Sequence, residues 1–147
     1  MKKGFFNFEG EEGYDFLESI VANNKTICAF DFLHGKCEKF ALALNEIFGY
    51  KIILWTNYDY DLKTNVLIHA FNVFEHNGKT YYADIRGVTD DLNEITNGYD
   101  YSQELIEPCC YDNEGAKQIL IKLGISTQKD DDAFKIINYY ESYYKLD

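Results

Sequence analysis

Apolar side chains recur at Phe40, Ala41, Leu44, Ile47 and Phe48, the spacing of a helix with one buried stripe, and Gly49 just beyond supplies its stop. The period then changes from helical to alternating. Residues 51–56, 66–75 and 80–85 are rich in branched and aromatic side chains and read as strands. The last two flank Asn77-Gly78, a strong short hairpin signal, so they are expected to pair as an antiparallel ladder. Residues 12–22 read as a first helix, with Phe16, Leu17, Ile20 and Val21 inward, and residues 57–64, rich in tyrosine and aspartate, read as a loop. Beyond Arg86-Gly87 the chain turns polar. A short helix is expected over residues 90–95, a second over 114–123 ending at Gly124, and a third over 131–144. The order predicts an α+β fold in which the residue 37–48 helix packs on a small antiparallel sheet, followed by C-terminal helices. No repeat or linker interrupts the pattern, and 147 residues suit a single domain, 1–147.

The hairpin register brings the first chemistry into view. A two-residue turn pairs His76 with Lys79, and counting along the ladder sets Asp84 opposite Phe71 and Arg86 opposite His69. Side chains alternate faces, so His69, Phe71, Asp84 and Arg86 project from one side. Asp84 becomes the diagonal neighbour of His69, at roughly 7–8 Å between backbones, which an imidazole and a carboxylate can bridge. A loop of odd length without a compensating bulge would send Asp84 to the other face.

Cys37, in Gly35-Lys36-Cys37-Glu38-Lys39-Phe40, stands where a glycine-containing loop enters the helix. A thiolate is stabilised by the unpaired amides of a helix start and by nearby cations. Lys36, Lys39 and His34 would favour the anion, whereas Glu38 would oppose it, and composition alone does not rank them. Cysteine, histidine and aspartate in this order fit a nucleophile, a base and a group that orients the base. Each also has a plain structural reading: Cys37 as a small apolar filler, His69 as a satisfied strand residue, Asp84 as a turn or ion-pair residue. The shared face of His69 and Asp84, added to a cysteine at a helix start, favours the catalytic reading. Acyl chemistry also needs donors for the developing oxyanion. The Cys37 amide is one candidate; the His34 side chain or the Trp55 indole is a second, although Trp55 equally suits packing and His34 an exposed loop.

Gly-x-Cys-x-x-Phe-Ala opening a helix, His69-Ala70-Phe71 in a strand and Tyr81-Tyr82-Ala83-Asp84-Ile85-Arg86-Gly87 in the next together resemble the transglutaminase-like and papain-like cysteine hydrolases over residues 31–87. The resemblance implies Cys37 as nucleophile, His69 as general base and Asp84 as the residue that holds the imidazole. The short interval from Cys37 to His69 suits the transglutaminase-like arrangement better than papain itself. Two features depart from the pattern. The loop before Cys37 contains no glutamine, and Glu38 stands where an aromatic residue often follows the cysteine.

Charge and cysteine usage narrow the partners. A net charge of −11 disfavours nucleic acid and anionic membrane surfaces, leaving a protein or peptide substrate as the expected partner. The four cysteines, at positions 28, 37, 109 and 110, follow neither a zinc spacing nor a disulfide framework, and no pattern implies a metal or organic cofactor. Cys109 and Cys110 read as incidental thiols. Met1 to Gly10 turns acidic too early for a secretory signal, and no apolar run approaches membrane length, so a reducing cytoplasm is expected. The tyrosine-rich stretch 58–61 is the expected place for substrate contacts, and Tyr139, Tyr140, Tyr143 and Tyr144 are expected to pack on the sheet. These readings converge on a thiol hydrolase or acyltransferase working through a thioester. The alternative is a non-catalytic protein-binding module with the same fold.

Overall fold

A computed structural model describes residues 20–22, 25–27, 29–33, 35–99, 101, 103–106 and 110–146. Within them the chain is α+β. A two-stranded antiparallel unit, β1 (Ile20–Ala22) and β2 (Lys25–Ile27), precedes a 3₁₀ turn at Ala29–Phe32 and helix α1 (Cys37–Phe48). A four-stranded antiparallel meander follows: β3 (Lys51–Asp59), β4 (Thr64–His76), β5 (Lys79–Asp84) and β6 (Gly87–Thr89). Helices α2 (Leu92–Thr96), α3 (Asn113–Lys122) and α4 (Asp131–Tyr139) complete the described α-helices, with 3₁₀ turns at Gln103–Leu105 and Glu141–Tyr143. Among the described residues, no helix is long and apolar enough to cross a membrane.

Helix α1 ends where its sequence predicts, with Gly49 in the left-handed region at φ 77° and its amide bonded to the Asn45 carbonyl. Its buried stripe divides between two clusters. Phe40 and Leu44 pack with Ala83, Ile85 and Val88 of the sheet region and with Ile136 and Ile137 of α4. Cys37, Ala41 and Leu42 pack with Ile52, Leu54 and Ala70 and with Leu120 of α3. Each large apolar side chain buried in this way stabilises the fold by about 1.5–3 kcal/mol. The opposite face of the sheet carries Ile53, Trp55 and Phe71, covered by Ile95 of α2. Strand alternation separates the sets: Leu54 and Ala70 face α1, and Trp55, Phe71 and His69 face away.

From His76 opposite Lys79 to Asn72 opposite Ala83 the β4–β5 register is the one counted from the sequence, but the pairing stops there: the expected strand 80–85 ends at Asp84, and Arg86, expected opposite His69, lies in the turn to β6. Three other expected boundaries move. Ile20–Ala22, expected to end a helix, is strand β1, because its β-branched residues find a pairing partner in Lys25–Ile27; residues 12–19 lie outside the described residues. The expected loop 57–64 shrinks to a turn at 60–63, since β3 and β4 stay paired as far as Asp59 and Thr64. The Asp59 carboxylate closes that turn by accepting from the Asp61 and Leu62 amides at 2.9 and 3.0 Å. The helix expected over 131–144 stops at Tyr139 and gives way to a 3₁₀ turn at Glu141–Tyr143. Beyond it, Tyr144 is fully buried, its hydroxyl donating to the Ile85 carbonyl and its carbonyl accepting from the Tyr50 hydroxyl, both at 2.8 Å. Tyr144 thus packs as expected, whereas Tyr139 is exposed. Strand β6 was not foreseen; it follows a tight turn at Ile85-Arg86 that redirects the chain away from β4.

Candidate active site

The turn after β5 orients Asp84. Its Oδ1 accepts from the Arg86 amide at 2.8 Å, and its Oδ2 accepts from the Arg86 guanidinium at 2.6 Å. The same guanidinium donates to the carbonyls of Glu94, Ile95 and Asn97 at the C-terminal end of α2. One buried cation therefore satisfies helix-end acceptors and a buried carboxylate together. Burial alone would raise the Asp84 carboxyl, but the Arg86 charge and the hydrogen bonds from His69 and Arg86 outweigh it and hold Asp84 ionised well below the usual carboxylate range.

An ionised carboxylate can only accept, so His69 presents Nε2–H to Asp84 Oδ2, at 3.0 Å. On the other side, His69 Nδ1 lies 2.9 Å from the hydroxyl of Tyr99, whose ring stacks on the imidazole at 4.7 Å. That hydroxyl also lies 2.7 Å from the Leu33 carbonyl. Burial, then the Asp84 charge, pushes the Tyr99 phenol far above its ordinary value, so it keeps its single proton. The proton's direction is linked to the charge on the ring. When Tyr99 donates to Nδ1, His69 is neutral; when Tyr99 donates to Leu33, Nδ1 must itself carry a proton and the ring is an imidazolium.

Cys37 is the first residue of α1, 5% exposed, and its Sγ accepts from the Ala70 amide at 3.3 Å. Ala70 follows His69, and its amide points away from β3, so the sulfur lies along the edge of β4 on the side of β5. The sulfur occupies the stretch of edge that β5 vacates by turning at Ile85-Arg86. It reaches this edge from the face covered by α1, and the imidazole projects from the opposite face, beside Trp55 and Phe71. The charge balance that composition left open is decided here. Burial first, then the Glu38 carboxylate, pushes the thiol up to about 12, against the lowering effect of the Ala70 and Glu38 amides. Lys36 pairs with Asp130 at 3.7 Å and Lys39 Nζ donates to the Ser126 carbonyl, so both cations are engaged away from the sulfur.

The chain matches no protein-family model, no curated protein and no solved structure. The resemblance to cysteine hydrolases therefore rests on the motif residues of the sequence.

The structure joins His69 directly to Asp84 and sets Cys37 against the residue after His69. Trp55 is fully buried in the cluster away from α1, edge-on to Tyr99 and Tyr101, and its indole Nε1 has no hydrogen-bond partner among the described residues; it packs. His34, Cys28 and Cys109 lie outside the described residues, and Cys110 is an exposed free thiol. Among the described residues no group of three His, Cys, Asp or Glu side chains converges as a metal site.

Three participants escaped the sequence reading. Tyr99 follows α2 in an Asn97-Gly98-Tyr99 turn that carries no motif. The Ala70 amide is a backbone donor, invisible to residue typing. The third is a bulge: Trp55 pairs with His69 and Thr56 with Leu67, leaving Ile68 unpaired immediately before the histidine. Bulges re-aim neighbouring side chains and concentrate beside functional sites.

Proposed function

We propose that this chain is a cysteine-dependent hydrolase or acyltransferase that acts on an amide or related acyl bond through a thioester on Cys37. The hydrogen-bonded pair His69–Asp84, with the Cys37 sulfur held by the amide of the next residue, carries this reading. The thiol is neutral at rest. Tyr99 first turns its own proton to the Leu33 carbonyl, which frees the single Nδ1 lone pair; Nδ1 takes the thiol proton as Sγ attacks the acyl carbon, and Tyr99 accepts from the new Nδ1–H. The imidazolium keeps both hydrogen bonds, and Asp84 balances its charge. Collapse of the tetrahedral adduct breaks the acyl bond, and the leaving amine takes the Nδ1 proton. Water next attacks the thioester, giving its proton to Nδ1 and thence to the departing Sγ; an amine in place of water gives transfer. The Cys37 amide at the start of α1 and the Ala70 amide are the candidate oxyanion donors, each worth about 3 kcal/mol of barrier.

One observation favours a different reading. A sulfur 5% exposed, with its proton held to about pH 12, also suits a non-catalytic protein-binding module whose buried dyad is structural. Iodoacetamide labelling separates the two, with Cys37 and Cys110 quantified in the same sample by peptide mass spectrometry. For an enzyme, Cys37 labelling follows an imidazole-like titration and slows by about tenfold or more in His69→Ala. Labelling that rises only as the pH nears 12, with or without His69, removes the enzymatic reading.

A further inference from the structure

A groove of about 450 Å³ opens beside Cys37. Residues 64–68 of β4 line it consecutively, together with Cys37, Glu38, Leu62, Leu123 and Ile125. A groove over the face of a sheet is lined by alternate residues, so five in succession mark one that follows the strand's edge. Pairing places that edge. Residues 64–67 bond β3 on one side, β5 covers β4 on the other side only from Asn72 to His76, and among the described residues no strand pairs the edge between. Thr64 and Asn65 are exposed, and Val66, Leu67 and Ile68 are half-buried.

Exposed edges are usually guarded by lysine or proline, because an open row of amides and carbonyls recruits other strands. Residues 64–68 contain neither. Glu38 supplies a second feature that points to a ligand: it is 5% exposed, lines the groove, and accepts from the backbone amides of Lys39, at 3.1 Å to Oε2, and of Glu38, with no ion pair to a cation among the described residues. A cation entering the groove would restore the solvation this carboxylate lacks.

We infer that the open edge of β4 over residues 64–68 binds the substrate as an extended peptide added to the sheet, with a lysine or arginine beside the reacting residue to meet Glu38. The inference rests on the thiol reading above and gives it a substrate class. The edge spans roughly 16 Å, room for about five peptide residues. A strand laid there continues the line of β5, so its leading carbonyl arrives where β5 turns away and Sγ stands. Affinity then comes from main-chain bonds, and selectivity from Glu38 and the apolar sides.

The test uses the full chain with Cys37→Ala, which removes turnover and leaves binding to be read alone. Fluorescein-labelled hexapeptide pools, each fixed at one position, are titrated by anisotropy. One position is expected to prefer lysine or arginine over aspartate or glutamate by about tenfold, a preference that Glu38→Gln reduces to roughly threefold or less. In the selected peptide, N-methylation of one alternate set of amides should weaken binding about tenfold or more while the other set is tolerated, as a single-edge ladder requires. Absence of binding by every pool, indifference to N-methylation in both registers, an acidic preference, or self-association of the chain in place of peptide binding would overturn the inference. Its failure is separable from that of the thiol reading. His69-dependent labelling of Cys37 without peptide selection removes the groove and keeps the nucleophile, and peptide selection without such labelling does the reverse.

Discussion

The two halves of the candidate site are built on opposite principles. On one side, Arg86, Asp84, His69 and Tyr99 form a continuous chain of hydrogen bonds, buried at its first three members, half-buried at Tyr99 and tied to the end of α2. On the other, Cys37 is met only by backbone amides, lines the groove beside β4 and keeps its proton through burial and the Glu38 charge. The first half resists change because each member satisfies two neighbours. The second is poised, and small shifts in its surroundings move its chemistry. Burial therefore has two outcomes within one site: with full pairing it holds a charge in place, and without a cation it suppresses one.

The most destructive way to test this contrast is to break the paired half. Arg86→Met leaves the Asp84 carboxylate buried with its cation gone, and urea denaturation is expected to show a loss of about 3–5 kcal/mol. A loss under about 1 kcal/mol would mean that the network is incidental to the fold. Asp84→Asn follows, at about 3 kcal/mol near neutral pH, because Arg86 is then the uncompensated charge. Its pH dependence is diagnostic. Asp84 is held below its unfolded value, so its contribution is present above that value, near pH ~4, and is lost as pH falls through the folded one. The wild-type stability curve should fall steeply in acid and that of Asp84→Asn should be flatter; parallel curves would remove the assignment.

Tyr99→Phe tests the join between the halves. Releasing Nδ1 from the phenol should accelerate Cys37 alkylation by roughly tenfold, the equivalent of one hydrogen bond, with Cys110 unchanged as the internal standard. An unaltered Cys37 rate would reduce Tyr99 to a packing residue. The smallest effect belongs to Glu38→Gln. Burial raises the Glu38 carboxyl, so the contribution of its protonated form is complete below its unfolded value and is lost as pH rises through the folded one. At neutral pH the glutamine variant should therefore equal or exceed wild type in stability, by less than about 1 kcal/mol, and its Cys37 thiol should titrate lower. A less stable variant with an unmoved thiol would show that Glu38 does not control the sulfur.

Much of this was legible along the chain because it depends on local rules. The spacing of Phe40, Leu44 and Ile47 with Gly49 defined α1, and Asn77-Gly78 with strict alternation defined a register that carried Asp84 to His69 at 3.0 Å. The start of α2 was similarly local: the Asp91 side chain caps the Asn93 amide at 2.9 Å. Other features were set by contacts between distant segments. Whether residues 20–22 pair as a strand, whether Tyr99 reaches His69, and whether Lys36 serves Cys37 or Asp130 depend on which surfaces meet, and no short window of sequence contains that information. The state of the sulfur belongs to this second group. A cysteine at a helix start follows from spacing, but burial and the positions of Glu38 and Asp84 decide its proton, because desolvation and Coulomb energy depend on the surrounding volume rather than on neighbours in the chain.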